Sequence, residues 1–169
     1  NYGMYGPAFE LCASQPREPG SEEYLDSEKY EIKSWDLERA DSLRPLIARV
    51  NRIRRDNPAL HSDWSLRFHP VSNDQLVCFS KQTEDLGNII LTVVNLDPYH
   101  IQSGWVELPL ELFRLDPQQP YQVHDLLTHA RFFWQGTRNY VELNPQSVPA
   151  HIFRVLRRTH KEQDFDYFM

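Results

Sequence analysis

The sequence predicts a mainly β chain whose second half is an antiparallel β-sandwich or barrel. Three observations carry that prediction. From about Trp64 the spacing of apolar residues changes from helical to strand-like. Many short runs follow, separated by turn signals such as Ser72-Asn73-Asp74, Asp85-Leu86-Gly87, Asp97-Pro98, Gln135-Gly136 and Asn144-Pro145. One run, NIILTVVN at Asn88–Asn95, is apolar on both faces and suits a central strand covered on both sides.

Taken in order, Tyr2–Leu11 is apolar and punctuated by glycine. It predicts the end of a buried strand followed by a turn at Gly6-Pro7. Ala13–Gly20 is a loop. In Ser21–Lys33 the apolar members Tyr24, Leu25, Tyr30 and Ile32 hold no helical period, so a loop with one helical turn is expected. Asp41–Asn57 is a helix: Leu43, Leu46, Ile47, Val50 and Ile53 fall on one face. Ser42 is its N-cap, which puts Pro45 in the first turn, where a missing N–H is harmless. Arg54 and Arg55 suit the negative end of the helix dipole. Pro58 disfavours helical geometry at Asn57 and ends the helix there. The expected strands are Ser65–His69, Gln75–Lys81, Asn88–Asn95, Ser103–Leu108, Tyr121–Leu126, Ala130–Trp134, Asn139–Leu143 and His151–Arg157, with a helical turn inside Leu108–Asp116. Thr159–Met169 is a frayed tail, although Phe165, Tyr167 and Phe168 would also suit docking on a surface.

The chain has 169 residues, enough for one domain or for one domain plus part of another. It begins at Asn1 in structured-looking sequence, and we expect a segment of something longer. The net charge of −6 argues against a nucleic-acid partner, because a phosphate backbone is met by a basic face. No apolar run reaches the roughly twenty residues needed to cross a bilayer, so no membrane partner is expected. Cys12 and Cys78 are far apart and in no CxxC pair. A disulfide satisfies the arithmetic; two reduced thiols in a cytoplasmic protein is the expected state.

Asn1–Lys33 holds the densest set of polar and aromatic groups that could contact a ligand. Lys29-Tyr30 pairs an ammonium with a neutral hydroxyl donor, a combination suited to a phosphate or to sugar hydroxyls, although most exposed Lys and Tyr are simply solvated. Glu10 sits among apolar neighbours in PAFEL, where a buried carboxylate needs a partner, so it is expected to anchor rather than to catalyse. His124 and His129 bracket HDLLTH, which is expected to be a polar turn and not a metal site. No Gly-rich phosphate loop or GxSxG elbow occurs, and neither a cofactor nor a metal is expected. Trp35, Trp64, Trp105 and Trp134 could stack on sugar rings, yet in a small β domain they are expected to pack the core.

NYGMYGPAFELC, PREPGSEEYLDSEKYEIK and SLRPLIARVNRIRRDNPAL together resemble the last strand, the following loop and the last helix of an α-amylase-type (β/α)8 barrel. DLLT, FFWQGTRNYVEL and PAHIFRV resemble the β-sandwich that follows that barrel. The family most similar is the bacterial α-1,4-glucan:maltose-1-phosphate maltosyltransferases. The resemblance implies three regions: a barrel end over 1–60, a sandwich over 61–158 and a tail over 159–169. It also implies retaining transfer of maltosyl units from α-maltose 1-phosphate to the non-reducing ends of α-1,4-glucans, with phosphate released, in a homodimeric cytoplasmic enzyme. The family's donor-binding Lys-Tyr pair maps onto Lys29 and Tyr30. Its catalytic carboxylates map onto no residue of this chain, which is therefore expected to be inactive alone. Two alternatives remain: another α-glucan-active amylase relative, hydrolysing or trehalose-forming, and a non-catalytic module that grips glucan or braces a barrel. Between gripping and bracing we expect the brace, because the apolar strands look committed to a core.

Overall fold

The computed structural model describes residues 6–25, 32 and 34–156. The chain divides into two compact units, Asn1–Arg52 and Ile53–Met169.

In the first unit, Gly6–Glu10 forms a short helix, α1. The strand end expected before Gly6-Pro7 lies outside the described residues, and the turn expected at Gly6-Pro7 opens this short helix instead. Pro7 supplies a first-turn residue that needs no N–H partner, and Leu11 N–H bonds back to Pro7 O at 2.9 Å. Cys12, with φ 53°, ends the helix in the left-handed region, and Ala13 N–H reaches Ala8 O at 2.8 Å. Ala8 and Leu11 are buried. Residues 15–25 fold back on themselves. Arg17 N–H bonds Glu23 O and Leu25 N–H bonds Gln15 O, each at 2.8 Å.

Helix α2 spans Arg44–Asp56 and crosses from one unit into the next. Ser42 Oγ accepts the Arg44 N–H at 3.2 Å, and Pro45 lies in the first turn as expected. Of the predicted apolar face only Ile53 is buried; Leu43, Ile47 and Val50 are half-buried and Leu46 is exposed. Asn57 is extended, with φ −123° and ψ 101°, and a 3-10 turn follows at Pro58–His61.

Among its described residues the second unit contains eight strands: β1 Arg67–His69, β2 Leu76–Gln82, β3 Ile89–Asn95, β4 Gln102–Glu107, β5 Tyr121–Asp125, β6 Arg131–Trp134, β7 Arg138–Leu143 and β8 Ala150–Leu156. Every expected strand is present, displaced by two residues at most at its start, and the turn expected in Leu108–Asp116 is a 3-10 helix at Leu110–Phe113. Six strands form one antiparallel sheet in the order β1-β2-β3-β8-β5-β6; β4 and β7 form a second, two-stranded sheet. β3 lies between β2 and β8, and all its residues but Val94 are buried, as its unbroken apolar run requires. The core between the sheets holds Leu91, Val93, Val106, Phe113, Tyr121, Val123, Leu143 and Phe153.

Buried polar groups are paired. Asn88 Nδ2 donates to Asn57 Oδ1 at 2.9 Å, and Asn88 Oδ1 accepts Ala59 N–H at 3.1 Å. This pair fastens the 3-10 turn to the start of β3. Asn139 Nδ2 donates to Tyr121 Oη at 2.9 Å, so the tyrosine hydroxyl is satisfied inside the core.

One corner of the sandwich stays open. Residues opposite one another in an antiparallel pair share a face. Phe132 is opposite Val123 and Trp134 is opposite Tyr121, and both partners are core residues. Phe132 and Trp134 therefore face inward. Trp134 is buried, but Phe132 is 41% exposed. Two strands are too few to cover six, and the inner face is left partly open at Phe132 on β6 and at half-buried His151 on β8, while Tyr121, Val123 and Asp125 of β5 stay buried.

Candidate functional site

The sequence points first to Lys29 and Tyr30, which lie outside the described residues. The chain leading to them is held by the 15–25 fold-back: Pro16 and Tyr24 make an antiparallel bridge, and Arg17 Nη1 pairs with Glu23 Oε2 at 3.2 Å. Glu10, expected as an anchor, is half-buried. Its backbone does the anchoring, since Glu10 O accepts Leu43 N–H at 2.7 Å beside the start of α2.

The second unit offers a site that the sequence reading passed over. Its hub is Asp125, at the end of β5, whose side chain is fully buried. Oδ2 accepts His151 Nδ1–H at 2.9 Å and the Thr128 hydroxyl at 2.5 Å. Oδ1 accepts the Leu127 and Ile152 backbone N–H groups at 3.1 and 3.2 Å. Burial penalises the charge, but these donors outweigh it and hold the carboxyl below its ordinary range. An ionised carboxylate only accepts, so His151 must carry its proton on Nδ1. In its neutral form the ring leaves Nε2 as an acceptor. It is clamped a second time by stacking on Phe153, with centroids 4.7 Å apart and planes 25° apart.

His151 and Phe153 form one wall of a groove of about 380 Å³ at the open corner of the sandwich. Phe132 and Trp134 of β6 line it from one side; on the other, β7 contributes Val141 from its core face and Tyr140 and Glu142 from its exposed face, with Asn144 and Ser147 from the loop before β8. Tyr140 is 49% exposed and packs edge-on against Trp105 at 5.5 Å. The Arg138 guanidinium in turn lies 5.1 Å from the Trp105 ring. The site thus offers aromatic surfaces with a few fixed polar atoms between them. The arrangement suits binding.

HDLLTH is a polar turn, as expected: Asp125 O accepts His129 N–H, and His129, with φ 66°, closes the hairpin. The His124 and His129 rings are 6.1 Å apart. Among the described residues no three His, Cys, Asp or Glu side chains gather as metal ligands. Cys12 is exposed and Cys78 buried, both as free thiols; burial pushes the Cys78 pKa up to about 12. Asp125 could have been suspected from its spacing, because D-x-x-T with an Asp able to bond its own backbone two residues on is a turn signature. Its link to His151, 26 residues later, has no local signal.

This antiparallel β architecture has a counterpart among solved structures. A crystal structure of an Anoxybacillus α-amylase matches with a TM-score of 0.53 at 14% identity, over 75% of this chain and 25% of that one; the likeness is one of fold. A family model described as "GLGE, C-terminal" matches residues 68–155, more than half of the chain. The chain belongs to that family. It is 52% identical over 161 residues to an alpha-1,4-glucan:maltose-1-phosphate maltosyltransferase of Chlorobaculum tepidum, covering 92% of this chain and 24% of the relative. It is 44% identical over 155 residues to the protein of that name in Methylacidiphilum infernorum, covering 92% and 23%. It is 43% identical over 167 residues to the one in Myxococcus xanthus, covering 99% and 25%. The chain spans about a quarter of the length of these relatives.

Proposed function

We propose that this chain is the C-terminal part of a bacterial, homodimeric, cytoplasmic maltosyltransferase. The intact enzyme moves maltosyl units from α-maltose 1-phosphate to the non-reducing ends of α-1,4-glucans and releases phosphate. The observation that carries this reading is 52% identity to a relative of that name across nearly the whole chain. In this reading residues 1–60 complete a (β/α)8 barrel, 61–158 are the sandwich and 159–169 a tail. The carboxylates that perform glycosyl transfer belong to the part of the enzyme this chain does not span, and the chain alone is inactive.

Lys29 and Tyr30 are the chain's contribution to the donor site. Double displacement at the anomeric carbon expels phosphate in its first step. An ammonium beside that phosphate stabilises the charge gathering on the leaving oxygen, and a tyrosine hydroxyl adds a neutral hydrogen bond. A hydrolase of glucan has no such leaving group, so the pair separates transfer from hydrolysis.

The test uses the full-length enzyme and phosphate release from α-maltose 1-phosphate. Lys29→Ala removes one charge-assisted contact and is expected to lower kcat/KM for the donor about tenfold or more. Unchanged donor kinetics would remove the pair from the site. Phosphate release by the isolated chain would refute its inactivity.

A further inference from the structure

We propose that the groove between β6, β7 and β8 is a binding site for an α-1,4-linked glucan chain, with Tyr140 and Phe132 as its stacking surfaces. Strand alternation would commit Phe132 to the core, yet the short second sheet leaves it open. A half-exposed Tyr140 and a 41%-exposed Phe132 around one concavity form a cost in water that a bound ligand removes. The volume of about 380 Å³ is that of a ligand site rather than a packing defect.

The lining selects the ligand class. Among the described residues no Lys or Arg lines the groove, while Glu142 does, so phosphates and other anions are disfavoured. The polar groups are a carboxylate, an amide, a hydroxyl and the His151 Nε2, spread around aromatic surfaces. A pyranose ring has the matching pattern: an apolar C–H face for the aromatic plane, and hydroxyls at its edge that both donate and accept. A purely apolar ligand would strand those polar groups without partners.

The groove is also preorganised. His151 is fixed by Asp125 and by Phe153, and Tyr140 by Trp105. The Tyr140 hydroxyl lies 3.4 Å from Glu142 Oε2 and so helps to hold the carboxylate. Little side-chain freedom remains to be lost when a ligand binds. The groove chemistry by itself specifies a neutral saccharide; that it is an α-1,4-glucan rests on the function proposed above.

The experiment is titration of the 169-residue chain with maltoheptaose, followed by calorimetry and by the β6–β8 amide resonances. Saturable binding is expected, with shifts centred on Phe132, Tyr140 and His151. Tyr140→Ala should weaken it about tenfold while leaving the thermal unfolding curve in place, since the side chain is half in solvent. Glu142→Ala, also exposed, is a second variant for which the same weakening is expected. Absence of saturable binding, or unaltered affinity in both folded variants, overturns the site. Equal affinity for cellohexaose overturns the assignment to α-glucan. Binding is measured without α-maltose 1-phosphate. A full-length enzyme that fails to release phosphate from that donor would refute the proposed function and leave this result standing.

Discussion

Among the described residues of Asn1–Arg52 the buried hydrophobics are Ala8 and Leu11, whereas the sandwich buries Leu91, Val93, Val106, Leu110, Val123 and Leu143 almost completely. Both regions are rich in apolar side chains. They differ in what covers them. In the sandwich the inward residues, Phe132 excepted, pack into one core, and buried amides such as Asn88 and Asn139 find partners. Helix α2 has as clear an apolar face as any strand, yet most of that face stays half or fully open. Periodicity specifies which residues want to be buried; only a second surface buries them. The sandwich supplies its own, and in the proposed reading the face of α2 belongs against a barrel.

The largest expected effect lies in the sandwich. Leu91→Ala on β3 empties a site with no solvent access, and should cost about 2–5 kcal/mol of unfolding free energy in urea. A loss below about 1 kcal/mol would mean that the core around β3 is not packed against the second sheet.

The next test concerns the polar hub of the groove. Asp125→Asn keeps the shape but makes one acceptor oxygen into a donor group, and should cost on the order of 2–3 kcal/mol at pH 7. The wild-type carboxyl has a lowered pKa in the folded state. Its stabilisation is therefore present above the unfolded value of about 4 and fades as pH falls through the lower folded value. The gap between wild type and variant should close in that acidic window. A gap independent of pH would show that Asp125 does not act through its charge.

His69 makes the opposite comparison, an uncharged group held inside. It is buried on β1, with Nε2 2.7 Å from Ser80 Oγ, and burial lowers its pKa to about 4, helped by nearby Arg67. The unfolded chain binds a proton near pH 6.5, where the folded chain does not. The stabilisation is complete above that pH and is lost as pH falls from about 6.5 to about 4, by on the order of 2 kcal/mol. His69→Gln should flatten urea midpoints across that window. An unchanged slope would exclude His69 as its source.

The same contrast explains how much could be read from the sequence. The strands were legible because alternation and turn residues are local: Asn88–Asn95 announces a central strand by itself, and the order of events from Ser65 to Leu156 follows from turns. The pairing of β3 with β8, and the placing of β5 and β6 beyond it, was not legible, because it joins residues some sixty positions apart through nothing but complementary packing. The groove failed to appear for the same reason. Trp105 and Trp134 both sit in alternating runs, yet one is 43% exposed and the other 8%, because Trp105 takes the outward face of β4 between buried Gly104 and Val106 while Trp134 lies opposite core Tyr121. The short helix Gly6–Glu10, where a turn is expected at Gly6-Pro7, is not legible because five residues carry no period to read, while Pro7 and the left-handed Cys12 decide the outcome.

The smallest expected effect is also the one that bears most directly on the comparison. Leu46 is 47% exposed on α2, so Leu46→Ala removes little buried area and replaces one good helix former by another. In the 169-residue chain it should change the unfolding free energy by less than about 0.5 kcal/mol. In the full-length enzyme the same substitution should cost several times more, because the proposed barrel would cover that face and its loss would leave a cavity. Urea unfolding of both proteins, with and without the substitution, measures the difference. Equal small effects in both would mean that the face of α2 is left in water in the intact protein too. The open apolar stripe would then be a property of the helix, and not the imprint of a missing partner.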